Sequence, residues 1–308
     1  MKKIAFVFPG QGVQYPGMMK DFYDSFSECS NIYAISDQIL NFSVSKMSFY
    51  GTQEDLNGII NAQLCVLTAN IAAYQAIYRS KLSPDMIAGL SLGEYAALVV
   101  AGVLSFEEAL KIVYVRANAM KDTLKDVTGG MVAVIGKNTD IALEICTEIK
   151  KGFIAPANFN CPNQIVFAGD SLGIKEFIAK TKKVGIHTFR LAVNAPFHTK
   201  LLLPAAKKLE KEFLKYNLKN PQTPLYMNVD GERTKEPDKI SMKCVNQTNS
   251  PVYWEKTIMN MINDGADIFI EIGPGKTLSG LIRKINKGSK IYNVFDINSL
   301  NKTLSALL

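Results

Sequence analysis

Apolar and polar positions along this chain follow two rhythms, one of strands and one of helices. Lys2–Phe8 is a short apolar run rich in β-formers that stops at Pro9-Gly10, the pattern of a buried strand. A long apolar helix is expected from Asn61 to about Arg79. Pro84 resets the chain, and Met86–Gly89 reads as a second short strand. Leu92–Val100 reads as a helix stopped at Gly102. Ser105-Phe-Glu-Glu108 has the form of a capping box, and the helix it opens is expected to run to about Lys125.

The rhythm changes at Gly129-Gly130. From there the pattern predicts strand Met131–Gly136, helix Thr139–Lys150, strands Phe153–Ala157 and Gln164–Ala168, helix Leu172–Val184 and strand Ile186–Val193. That βαββαβ order is the ferredoxin-like split unit. Helices then alternate again with short strands: Lys200–Tyr216, Leu225–Asn228, Trp254–Asp264, Ile268–Ile272, Thr277–Ile285 and Ile291–Val294. Such alternation argues for a mainly parallel α/β sheet. The expected organisation is a large α/β unit of residues 1–127 and 195–308, interrupted by a small one at 128–194.

Composition narrows the class. With 308 residues, 47% apolar and 20% charged, the chain is globular and long enough for a large core. The net charge of +7 is uneven: −2 over residues 1–126, +3 over 127–195 and +6 over 196–308. No run of five basic residues occurs, which argues against a nucleic-acid arm. Five Cys without ligand-like spacing and only two His argue against a disulfide framework or a metal centre. The apolar run Ile4–Phe8 is too short for a signal sequence, and no stretch reaches the length of a membrane span. The expectation is a soluble, cytoplasmic protein with reduced thiols.

Gly89-Leu-Ser-Leu-Gly93 is a GxSxG element between an expected strand and an expected helix. That is the context of a nucleophile elbow, with Ser91 beside backbone N–H groups able to stabilise an oxyanion. A plain glycine turn with a capping serine is the competing reading. A serine nucleophile needs a base. His187 lies within an alternating run and reads as an ordinary strand residue, whereas His198 follows a loop where the small unit rejoins the large one. A capping or surface histidine is the alternative for His198, and no Asp declares itself as a third member.

Arg116 falls in the middle of the apolar face formed by Ala109, Ile112, Val113, Ala117, Met120 and Leu124. A guanidinium there needs a partner. Either an internal carboxylate such as Glu94 supplies it, or a substrate carboxylate does.

Together, Phe8-Pro-Gly-Gln-Gly12, Gln63, Gly89-Leu-Ser-Leu-Gly-Glu-Tyr95, Arg116, Asn158-Phe-Asn160 with Gln164, Pro196-Phe-His198, Gln247 before Pro251 and Trp254, and Gly273-Pro-Gly-Lys276 resemble the malonyl-CoA:acyl carrier protein transacylase family, which includes polyketide synthase acyltransferase domains. The resemblance implies an α/β-hydrolase-like core interrupted by a ferredoxin-like subdomain. It implies ping-pong acyl transfer, with Ser91 as nucleophile, His198 as base and then acid, and the N–H groups of Gln11 and Leu92 as oxyanion hole. It also implies that a backbone carbonyl near Gln247 orients His198, and that Arg116, Gln63, Met120, Phe197, Asn160 and Gln247 bind substrate. Phe197 before His198 resembles the malonyl-selecting pattern, whereas Leu90 departs from the His that many members carry there. The implied partners are malonyl-CoA and an acidic acyl carrier protein, with no cofactor or metal and with a monomer as the default. Lys200, Arg190 and the Arg283/Lys284 pair are candidate docking residues. A chain without fused domains is expected to serve fatty acid synthesis. The alternatives are a discrete polyketide synthase acyltransferase and a serine thioesterase.

Overall fold

The computed structural model describes residues 2–308, with fourteen α-helices and eleven strands. In chain order the strands are β1 (Lys3–Phe8), β2 (Met86–Gly89), β3 (Gly129–Ile135), β4 (Ile154–Cys161), β5 (Gln164–Asp170), β6 (Thr188–Arg190), β7 (Leu225–Tyr226), β8 (Arg233–Thr234), β9 (Val252–Tyr253), β10 (Ala266–Ile272) and β11 (Lys290–Val294). Six form one sheet in the order β11-β10-β1-β2-β7-β8, and five form a second in the order β6-β3-β5-β4-β9.

In the first sheet, β11, β10, β1, β2 and β7 run parallel, and β8 closes one edge antiparallel. β1 explains why its sequence is apolar throughout. Phe6 and Phe8 face a cluster built largely from helices of the first half of the chain, including Ile59–Tyr78. Ala5 and Val7 face another that holds Trp254, Ile258, Leu278 and Ile282. A parallel strand covered on both faces has no polar side to show.

The expected helix at Asn61–Arg79 is Ile59–Tyr78, and the helix opened by the Ser105 box is Phe106–Thr123. Both halves of that box form: the Glu108 N–H donates to Ser105 Oγ at 3.2 Å, and Ser105 N–H to Glu108 Oε2 at 2.8 Å.

The second sheet is antiparallel among β3, β4, β5 and β6. One face carries Val132, Val134, Ile165 and Phe167 against the helices Thr139–Thr147 and Ser171–Lys183. The other carries Met131, Ala133, Val166 and Ala168 toward Ala119 and Met120 of the Phe106–Thr123 helix and toward Phe197 and Leu202. Its fifth strand, β9, comes from far downstream and pairs parallel with β4.

Several elements had no strong sequence signal. Four helices fill residues 20–57, helices occupy Pro237–Gln247 and Ile297–Leu307, and β8 and β9 have two residues each. The run expected as strand Ile186–Val193 shortens to Thr188–Arg190, so His187 lies just outside it and exposed. The Lys200–Tyr216 helix opens with a 3₁₀ turn and is α-helical only over Leu203–Phe213, with Pro204 in its first turn, where a missing N–H does no harm. No helix among the described residues is long and apolar enough to cross a membrane.

Candidate active site

β2 ends at Gly89 and the helix Gly93–Val100 begins four residues later. The turn between them is possible because both glycines are bare. A Cβ at Gly89 would stand 2.0 Å from the Gly93 carbonyl oxygen, and one at Gly93 would stand 2.0 Å from that of Phe8. Ser91 itself has φ +53°, in the left-handed region. A non-glycine residue held there costs about 1–3 kcal/mol, which surrounding contacts must offset.

His198 also has a positive φ, +59°. Its Nε2 lies 2.7 Å from Ser91 Oγ, and its Nδ1 lies 2.8 Å from the Gln247 carbonyl oxygen. A carbonyl only accepts, so Nδ1 carries the proton and Nε2 is left to accept the Ser91 hydroxyl proton. Both side chains are buried, at 7% and 5% exposure. Burial, assisted by the positive charge of Arg116, pushes the imidazole down to about 4, so it is neutral at physiological pH. The orienting group is a backbone carbonyl, consistent with the lack of any Asp that declared itself.

The turn Pro9–Gly12 packs on the elbow: a Cβ at Gly10 would stand 2.5 Å from the Leu90 carbonyl oxygen, and Leu90 N–H donates to the Phe8 carbonyl at 3.0 Å. Neither Gln11 N–H nor Leu92 N–H has an acceptor among the described residues, although Leu92 is completely buried. Buried N–H groups are nearly always paired. The Leu92 N–H is a buried exception directly after Ser91, and the half-buried Gln11 offers a second unpaired donor in the turn that packs on the elbow; donors of this kind can receive an oxyanion.

Arg116 is 2% exposed. Its Nη1 donates to Gln63 Oε1 and its Nη2 to Gln247 Oε1 at 3.2 Å, its Cζ lies 5.5 Å from the Tyr95 ring centre, and its Nε has no partner. It makes no ion pair among the described residues. The internal pairing with Glu94 considered from sequence does not form. Glu94 is completely buried, and burial raises its carboxyl to about 8; its Oε1 accepts from Gln247 Nε2 at 3.0 Å.

Residues 5–295 match the acyl transferase domain family. The chain is 36% identical over 310 residues to the malonyl CoA-acyl carrier protein transacylase of Bacillus subtilis (strain 168), covering 100% of this chain and 98% of that protein. The chain belongs to the malonyl CoA-acyl carrier protein transacylase family. Among solved structures, the transacylase of Clostridium perfringens ATCC 13124 superimposes with a TM-score of 0.95 at 38% identity, over 99% of this chain and 97% of that one. A malonyl-transacylase in complex with the holo form of a type II polyketide synthase acyl-carrier protein superimposes with a TM-score of 0.95 at 32% identity, over 99% and 100%.

Within this transacylase fold the remaining candidates separate. Gln63 donates from Nε2 to Met120 Sδ at 3.4 Å, so Met120, Gln63 and Arg116 form one contiguous wall. Phe197 is buried in the same apolar cluster as Met120. Asn160 is half-buried in β4 and makes no hydrogen bond to Ser91, His198 or Arg116. Among the described residues no cluster of His, Cys, Asp and Glu is placed to hold a metal ion.

Sequence reading missed Asn228, which touches the elbow directly: its Oδ1 accepts from Ser91 N–H at 2.6 Å. The only signal was its place, a polar residue closing the apolar run expected as strand Leu225–Asn228, of which only Leu225–Tyr226 forms a strand. Glu94 was weighed only as a partner for Arg116; an acidic residue within the apolar helix Gly-Glu-Tyr-Ala-Ala-Leu-Val-Val was the clue to a larger role.

Proposed function

We propose that this chain transfers a malonyl group from malonyl-CoA to the phosphopantetheine thiol of an acyl carrier protein, through a malonyl-Ser91 ester. The observation that carries this reading is Arg116, a buried guanidinium with no carboxylate partner and an unpaired Nε. A buried unpaired charge is strongly destabilising. The carboxylate of a malonyl group would fit this need, and a neutral fatty acyl chain would not.

The steps follow from the hydrogen bonds. Ser91 Oγ attacks the thioester carbonyl while its proton passes to His198 Nε2. The oxyanion is received by the N–H groups of Gln11 and Leu92. On collapse the carbon–sulfur bond breaks, and the CoA thiolate leaves with the proton from His198 Nε2. The carrier thiol then gives its proton to His198 and attacks the malonyl ester, and Ser91 recovers its proton. Gln63, Met120, Phe197 and Gln247 shape the acyl pocket around Arg116, and Asn160 contributes only if substrate or carrier draws it in.

Supporting the division into an α/β-hydrolase-like unit (1–127 and 195–308) and a ferredoxin-like one (128–194) is the strand order β6-β3-β5-β4 within a βαββαβ sequence. For the carrier, Arg283, Lys284 and Lys287 line an open depression of about 530 Å³. Arg190 stays exposed, while Lys200 Nζ rests 4.5 Å from the Phe153 ring centre. Fatty acid synthesis is the reading favoured by the transacylase relatives. The relative solved with a type II polyketide carrier supports a second, transfer to a polyketide carrier protein.

Intact-mass spectrometry after mixing with malonyl-CoA tests the reaction. A malonyl adduct that Ser91→Ala abolishes and that holo-acyl carrier protein discharges is expected. Free malonate without a lasting adduct would identify a hydrolase instead. Competition between fatty acid and polyketide carrier proteins decides the pathway.

A further inference from the structure

Asn228 is completely buried, and it comes near the elbow because the short strand before it pairs with β2. β2 and β7 pair with Ile87 opposite Leu225 and Ala88 opposite Tyr226. Asn228 follows two residues after the last paired residue of β7, in the turn that leaves the sheet beside the elbow. Its carboxamide spans the turn: Oδ1 accepts the Ser91 N–H at 2.6 Å and Nδ2 donates to the Gly89 carbonyl at 2.6 Å.

The backbone of Asn228 is tied down as well. Its N–H donates to Glu94 Oε2 at 2.7 Å, and its carbonyl accepts from Tyr253 N–H at 2.8 Å. The other Glu94 oxygen accepts from Gln247 Nε2, and that same nitrogen donates to the Ser91 carbonyl at 2.9 Å. Ser91 is therefore held through its N–H by Asn228 and through its C=O by Gln247, and one buried carboxyl joins the two holders.

We propose that Asn228, anchored by Glu94, is a positioning residue for the nucleophile: its carboxamide fixes the peptide units around Ser91, keeping Oγ within reach of His198 and the Leu92 N–H turned toward the reacting carbonyl. The chemistry of the turn calls for this side chain. One arm must accept from an N–H and the other must donate to a carbonyl, and asparagine has one group of each kind. Aspartate would set an oxygen against the Gly89 carbonyl, and alanine would leave both elbow groups buried without partners. With Ser91 at φ +53°, the turn depends on such contacts.

The proposal rests on the reading of Ser91 as the acylated residue, and a rapid-quench measurement of Ser91 malonylation separates the two. If the parent protein forms no adduct, the functional reading itself fails. With the parent active, Asn228→Ala is expected to slow acylation about 100-fold, the scale of a small misplacement of reacting groups. Its KM for malonyl-CoA should stay within twofold, because Arg116 and Gln63 are untouched. Asn228→Asp keeps the arm to Ser91 N–H and should fall between alanine and the parent. If Asn228→Ala does not fold, Asn228→Asp carries the test through a drop of tenfold or more at unaltered KM. A parental acylation rate in the folded variant, or a loss expressed wholly in KM, overturns the proposal.

Discussion

Arg116 and Glu94 lie in the same buried region and do not form an ion pair: the Gln247 carboxamide stands between them, accepting from Arg116 Nη2 at 3.2 Å and donating to Glu94 Oε1 at 3.0 Å. An ion pair would have neutralised the guanidinium within the protein. The amide instead leaves the positive charge uncancelled, beside a residue whose backbone carbonyl orients His198. The proposed clamp and the proposed base thus share one support, Gln247.

Replacing Arg116 by Ala should therefore separate substrates. Malonyl transfer should fall about 10–100-fold, the scale of a charged hydrogen bond of about 1.5–3 kcal/mol. Acetyl transfer, which offers no carboxylate, should fall far less. Parallel rate measurements with malonyl-CoA and acetyl-CoA check this, and equal losses would count against the clamp.

The acid limb of the reaction should lie below the ordinary histidine range, because burial and then Arg116 hold the folded imidazole near 4. The pH dependence of kcat/KM reports groups of the free enzyme, so it is the quantity to measure. Arg116→Gln removes one of the two causes and should move the limb upward, toward 6.5. Acetyl-CoA is the substrate for this comparison, since the variant lacks the carboxylate partner.

The same imidazole links stability to pH. In the unfolded chain it takes up a proton near 6.5, and in the folded protein only near 4. Stability is consequently lost as pH falls from about 6.5 to 4, by up to about 3 kcal/mol. Glu94, raised to about 8, acts oppositely: above about 4.5 the unfolded carboxyl gives up its proton first, so stability falls as pH rises toward 8. Denaturant titrations of the parent and His198→Gln across this range should differ by the histidine slope alone.

Gly93→Ala should damage the elbow itself. The new Cβ would meet the Phe8 carbonyl oxygen at 2.0 Å, and backbone cannot swing aside as a flexible side chain can. A loss of about 1–3 kcal/mol is expected, together with slower Ser91 acylation. Thermal melts and adduct formation measure the two effects; a melt and an acylation rate like the parent's would contradict the packing argument.

Much of this protein was legible without coordinates, for local reasons. The strand–turn–helix around Ser91, the capping box at Ser105 and the βαββαβ run each follow from neighbouring residues, and the helix wheel alone placed Arg116 on a buried face. Residues 20–57 were largely opaque because three of their four helices have only five to seven residues, which leaves little room for a periodic pattern. β8 and β9, two residues each, exist only because partner strands are present to pair with them.

What the sequence by itself determined was the set of candidates for the chemistry: a serine in a glycine elbow, one histidine in a loop and one arginine on an apolar helix face. Tertiary structure decided how they are held. Contacts between Ser91 and Asn228, His198 and Gln247, and Arg116 and Gln63 join positions 137, 49 and 53 residues apart. No local propensity encodes such pairs. They arise when parallel register brings β7 beside β2, and when burial leaves each polar group only the partner that packing supplies.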